Sequence, residues 1–238
     1  MSVIVPWDRA YRRARKAKQG RERLPPRFDN FVDDFRTKFG VAPLWLETDH
    51  LDHTREAIPK PRLEVIIERT ADYQRFLTAP YNFDSRRQKV VAKMFAEHFT
   101  RSAMRSLFKL PRRLPADYDF AQRIFVAFSD FEPVAIQDVH RSVSKADLAS
   151  FEASLGLGDD FWCTQSSFGP PIVFVYTEEQ AKALNASDLP NGWADTYFSL
   201  AKKHDEFDYL AREEFFIAVD SKENFDSNYS SNWYYYFK

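Results

Sequence analysis

The chain has 238 residues, 44% of them hydrophobic and 16% aromatic, and a formal net charge of −1, which is enough material to bury a sizeable core. The single cysteine, Cys163, excludes an internal disulfide and a cysteine-built zinc site, and six glycines leave little for glycine-rich ligand loops. No apolar run approaches the ~20 residues of a membrane helix, and residues 1–6 run straight into charge, unlike a secretory leader, so a cytoplasmic protein without a membrane span is expected.

Residues 1–24 hold eight bases against two acids, a balance of +6, and the remainder holds 26 bases against 33 acids, a balance of −7. The first segment, residues 7–19, reads as a helix with Trp7, Tyr11 and Ala14 on one face and bases around the rest. Leu24-Pro25-Pro26 breaks the chain. Phe28, Phe31, Val32, Phe35 and Phe39 then keep helical spacing up to Gly40, a C-cap candidate. Residues 44–46 suit a short strand and residues 49–60 a polar loop.

Four runs organise the rest. Residues 63–67, 124–128, 172–176 and 215–219 are apolar, of strand length and rich in β-branched or aromatic residues. Each ends at a residue suited to start a helix: Thr70, Ser129, Thr177 and Asp220. Thr177 with Gln180 fits a capping box. The likeness is of pattern, without an identifiable sequence repeat. Helical fillers lie at 84–108, 131–141, 145–155, 178–185 and 194–210, and the tail 233–237 reads as a final strand with Trp233, Tyr235 and Phe237 on one face. Together these predict an α+β (or α/β) fold: a mixed central sheet of about four to six strands with helices packed on it. The expected division is a basic helical arm, residues 1–24, and one globular domain, 25–238.

Five features bear on chemistry. Asp220-Ser221-Lys222 at a strand end has the acid-x-lysine form of metal-dependent nucleases, where carboxylates hold Mg²⁺ and lysine serves the attacking water, and Glu64 could supply a second acid. The competing reading is a helix cap. His50 and His53, flanked by Asp49 and Asp52, could share a transition metal, against the reading of a solvated loop. His98 shares an apolar helix stripe and reads as a core histidine, and Cys163, between aromatic residues, reads as a buried inert thiol. Arg12, Arg13, Arg15 and Lys16 could neutralise an anionic partner, but an acidic body favours docking of the arm on the protein itself. Tyr229, Trp233, Tyr234 and Tyr236 could form a protein contact surface, with Tyr234 and Tyr236 facing outward.

Walker, complete dinucleotide and serine-elbow motifs are absent from the sequence; Gly156-Leu157-Gly158 stops short. The leading expectation is therefore a non-enzymatic protein-binding module, most concretely an immunity or antitoxin-like protein that neutralises a basic toxin through an acidic, aromatic surface. It needs no cofactor and acts as a monomer or weak dimer. A Mg²⁺-dependent nuclease or phosphodiesterase using Glu64, Asp220 and Lys222 is the alternative, followed by a nucleic-acid-binding accessory protein using the basic arm.

Overall fold

The computed structural model describes residues 4–51, 58–80, 82–167 and 169–238. The fold is α+β, and the chain forms two compact units, residues 1–134 and 135–238. The basic arm lies within the first unit.

The first unit opens with α1 (Arg9–Lys18) and α2 (Asp29–Phe39), which stops at Gly40 in a left-handed conformation, φ 70°. Strand β1 (Trp45–Leu51) pairs antiparallel with β2 (Lys60–Ile67). The chain then passes through α3 (Thr70–Gln74), the ribbon β3 (Leu77–Ala79) and β4 (Asn82–Phe83), and helices α4 (Ser85–Glu97), α5 (Arg101–Leu107) and α6 (Phe120–Arg123). It returns as β5 (Phe125–Asp130), parallel to β2. The filler expected at 84–108 is two helices, because Thr100 starts a new one by accepting from the Ala103 N–H.

Strand β2 is central, and its residues Leu63–Ile67 are all buried. One face, carrying Leu63, Val65 and Ile67 beside Val126 and Phe128, packs with the aromatic residues of α2 and α4. Phe31 meets Phe95 edge-on at 5.0 Å, and Phe76 stacks on Phe128 at 4.5 Å.

The other face of this sheet carries a conflict. Glu47 and Glu64 sit directly opposite each other on β1 and β2, 8% and 4% exposed. Opposed like charges destabilise a sheet, and buried charge needs partners. Helix α1 supplies them. Arg9 and Arg13 pair with Glu47, Arg13 also lies over the Trp45 ring at 4.4 Å, and Tyr11 stacks on Phe131 at 5.3 Å. Ser129 donates to Glu64 at 2.7 Å. The arm therefore docks on the protein through Tyr11, Ala14 and its inward arginines, while Trp7 stays 58% exposed.

Helix α7 (Glu132–Ser142) runs across the boundary between the units. The second unit then has α8 (Lys145–Ser154), β6 (Phe161–Gln165), β7 (Ile172–Val175), α9 (Glu178–Asn185), α10 (Leu189–Lys202), β8 (Val219–Ser221), α11 (Lys222–Tyr229) and α12 (Trp233–Tyr236). Its sheet order is β6-β7-β8, antiparallel then parallel. Its core joins Phe151, Val173, Val175, Trp193, Tyr197 and Phe215.

The two units repeat one connectivity: a helix, two antiparallel strands, a helical crossover, a parallel strand and a closing helix. The correspondence reaches single residues. Phe35, Phe39, Gly40 and Trp45 in the first unit match Phe151, Leu155, Gly156 and Phe161 in the second at identical spacing, and Gly156 is again left-handed, φ 68°. The Glu132 N–H donates to the Glu68 carbonyl at 3.1 Å while its carboxylate accepts from the Thr70 N–H at 2.9 Å. The Glu223 N–H donates to the Tyr176 carbonyl at 3.1 Å while its carboxylate accepts from the Glu178 N–H at 3.0 Å.

Four sequence expectations are corrected. Instead of one sheet of four to six strands, the described residues form two three-stranded sheets and a two-stranded ribbon. An apolar central strand needs only one neighbour on each side, and β2 and β7 each have that within their own unit. Asp49 and His50 lie on β1 rather than in a loop. The last apolar run pairs only from Val219, because Arg212 binds the Phe215 carbonyl at 2.8 Å and Phe216 turns outward, 72% exposed. The tail is helical, started by Asn232 accepting from the Tyr234 N–H.

Removing both Arg9 and Arg13 by alanine substitution should lower unfolding stability by about 1–3 kcal/mol, since it leaves the buried Glu47 carboxylate without a cation. Adding Glu47→Gln should restore part of the loss in denaturant titrations.

Candidate functional site

In the second unit, β8 ends at Asp220 and Ser221, and the Ser221 hydroxyl caps α11 by accepting from the Asn224 N–H at 3.0 Å. The Asp220 carboxylate is enclosed by its own surroundings. Asn224 Nδ2 donates to both oxygens at 2.9 Å, and the Tyr236 hydroxyl donates at 2.6 Å. Burial, with the Asp220 hydrogen bond and charge behind it, pushes the Tyr236 phenol well above its ordinary range. Lys222 pairs with Asp226 and lies over the Trp162 ring at 5.5 Å.

This cluster anchors the tail. Trp233 stacks on Phe225 at 4.0 Å and on Trp162 at 5.8 Å, and Tyr229 meets Tyr236 edge-on at 4.8 Å. Trp233 and Tyr236, three residues apart on a helical turn, therefore face inward, and Tyr234 and Tyr235 face out, 67% and 55% exposed. A strand would have put Trp233 and Tyr235 together; the helical period exchanges Tyr235 with Tyr236. The outcome is two exposed phenol rings on a packed aromatic base. Tyr176, at the end of β7, is also 46% exposed.

The unit that bears these rings is strongly acidic. Residues 135–238 contain 8 bases and 17 acids, a balance of −9, whereas residues 1–134 contain 26 bases and 18 acids, a balance of +8. The acidity expected of the whole body belongs to the second unit.

Glu64 belongs to the first unit, Asp220 and Lys222 to the second. Each is engaged locally: Glu64 with Ser129, Asp220 with Asn224 and Tyr236, Lys222 with Asp226. On the basic arm, Arg13 is bound to Glu22 at 2.6 Å as well as Glu47, Arg15 is half-buried, and Arg12 and Lys16 are exposed. His50 Nδ1 lies 2.9 Å from the Phe108 carbonyl, and His53 lies outside the described residues. Among the described residues, no three His, Cys, Asp or Glu side chains group to hold a metal ion. No described helix is long and apolar enough to cross a membrane. His98 Nε2 lies 3.0 Å from Asp34, and Cys163 is half-buried with its thiol pushed up to about 11, chiefly by burial.

Two groups escaped the sequence reading because their character arises only from tertiary burial. Among the described residues, Asp130 Oδ1 and His140 Nδ1 are the buried side-chain polar atoms without a hydrogen-bond partner. Asp130 ends β5 beside a pocket with Thr70, Tyr73 and Thr78. Burial first, then the charge of Glu132, raises its carboxyl to about 6, against hydrogen bonds from Thr70 and Glu132 that lower it. Burial lowers the His140 imidazole to about 4.

Searches against protein-family models, curated proteins and solved structures found no match to this chain.

Two predictions concern these groups. Tyr236→Phe should cost about 1–3 kcal/mol, because Asp220 loses a donor, whereas Tyr234→Ser with Tyr235→Ser should leave the melting temperature nearly unchanged. For Asp130, a raised folded-state value means that the native carboxylate is penalised above pH 6 and that the penalty fades as pH falls towards 4. Asp130→Asn should therefore stabilise the protein by about 1–2 kcal/mol at pH 7.5, discounted for partial exposure, with the gain vanishing near pH 4 in denaturant titrations.

Proposed function

We propose that this is a non-enzymatic binding protein that grips a basic protein partner through its second unit, in the manner of an immunity or antitoxin protein. The supporting observation is the coincidence, in one unit, of a −9 charge balance with the outward Tyr234 and Tyr235 rings. Tyrosines held by a packed base lose little freedom on binding and present both an apolar face and a hydroxyl. An acidic unit steers a basic partner towards them. This reading requires no cofactor.

The nuclease alternative would need Glu64, Asp220 and Lys222, now engaged with Ser129, with Asn224 and Tyr236, and with Asp226, to exchange those partners for Mg²⁺ and water. The nucleic-acid alternative rests on Arg12 and Lys16, since Arg9 and Arg13 are paired with Glu47. Both rank below the protein-binding reading.

The test is capture from the native host with full-length protein, followed by affinity measurement on the purified partner. The expected result is one stoichiometric basic protein whose binding weakens with salt and falls at least tenfold, about 1.4 kcal/mol, in the Tyr234→Ser, Tyr235→Ser double variant. Mg²⁺-dependent nucleic-acid cleavage lost in Asp220→Ala, Lys222→Ala, with no partner captured, would replace this reading by the nuclease.

A further inference from the structure

The second unit contains a partly enclosed pocket of about 320 Å³, within the size range of small-molecule sites. Its walls include Ile136 and His140 of α7, Pro171, Tyr209, Phe215 and Phe216. The wall at Tyr209 is fixed: Asp205 accepts from the N–H groups of Tyr209 and Leu210 at 3.0 and 2.9 Å and from Lys202 at 2.8 Å. Phe216 is 72% exposed beside an otherwise buried group of rings. Glu214, an exposed acidic residue, lines the same pocket.

His140 is the unexpected member. It is only 9% exposed, its ring lies nearly parallel to Tyr197 at 5.9 Å and close to Phe215 at 5.8 Å, and its Nδ1 has no partner among the described residues. A leucine would fill much the same volume without burying an unpaired polar atom, a burial that weakens the fold. Such groups in native proteins call for an explanation, and this residue lines the pocket, where a ligand ring can pack against it. With its imidazole lowered to about 4, His140 is neutral near pH 7, so a ligand ring meets an uncharged aromatic wall and the fixed charge comes from Glu214.

We propose that this pocket binds a small ring compound bearing a protonated amine, with the ring between His140, Phe215 and Phe216 and the ammonium directed to Glu214. The amine is favoured over an acid by Glu214 and by the negative balance of the unit. The site shares no residue with Tyr234 and Tyr235, so its failure would leave the protein-binding reading standing.

The test uses full-length protein labelled in its histidine rings; with five histidines the spectrum is sparse enough to assign His140 through a His140→Phe variant. Phenethylamine, phenethyl alcohol and phenylacetate are titrated separately. The expected result is a saturable shift of the His140 signals with phenethylamine, at least tenfold weaker binding of phenylacetate, and loss of that preference in Glu214→Gln. A pocket-filling Ile136→Trp variant that remains folded should abolish the shift. Unmoved His140 signals with all three compounds up to about 10 mM, a weak-fragment range, would overturn the site. Equal binding of amine and acid would overturn the amine assignment.

Discussion

Both units depend on the same constraint: two parallel strands must end side by side where helices begin, and the backbone groups exposed there need partners. A glutamate at the start of the closing helix meets that need in each. Glu132 and Glu223 donate their N–H to the chain leaving the partner strand and accept, through the carboxylate, from an N–H two residues further on. The ladder thereby continues past the strand ends, and the first turn of the crossover helix gains a negative charge where its dipole favours one. Around this clamp the same order of helix, strands and crossover is built twice.

The repeated plan carries opposite charge. In the first unit, part of the positive excess is used internally, because Glu47, opposite Glu64 on one sheet face, pairs with Arg9 and Arg13 of α1. A helix that appears on composition to be an anion-binding arm is thus also the cover of its own sheet. In the second unit the acidic excess accompanies the outward tyrosines of α12, and the inward half of that helix is tied to Asp220 and Phe225. An acid-x-lysine sequence and an aromatic tail, which read as two separate features along the chain, form one packed cluster.

Local signals in the sequence were legible where short-range chemistry decides the outcome. Three of the four apolar runs become strands of the parallel pairs and the fourth contributes only Val219, the Thr177–Gln180 capping box forms with both of its hydrogen bonds, and Gly40 closes α2. Grouping of strands into sheets was not legible, because a central strand looks equally apolar in a sheet of three strands or six. The repeat was hidden because it rests on sparse positions such as Phe35 and Phe151 and on two glutamates whose hydrogen bonds are tertiary. The tail misled because aromatic residues favour strands, whereas Asn232 and the packing of Trp233 on Phe225 favour a helical turn. Of the candidate site, the outward Tyr234 was visible in the sequence; Tyr235 turns outward only because the tail is helical, and Asp130 and His140 gain their character only from burial.

The most direct test of a second unit that binds and a first unit whose basic helix serves its own sheet is hydrogen exchange, followed by mass spectrometry, on the full-length protein with and without its captured partner. The account predicts new protection at residues 229–238, with α1 unchanged. Protection that appears on residues 9–23 while residues 229–238 exchange as before would contradict it and move the binding surface to the basic helix.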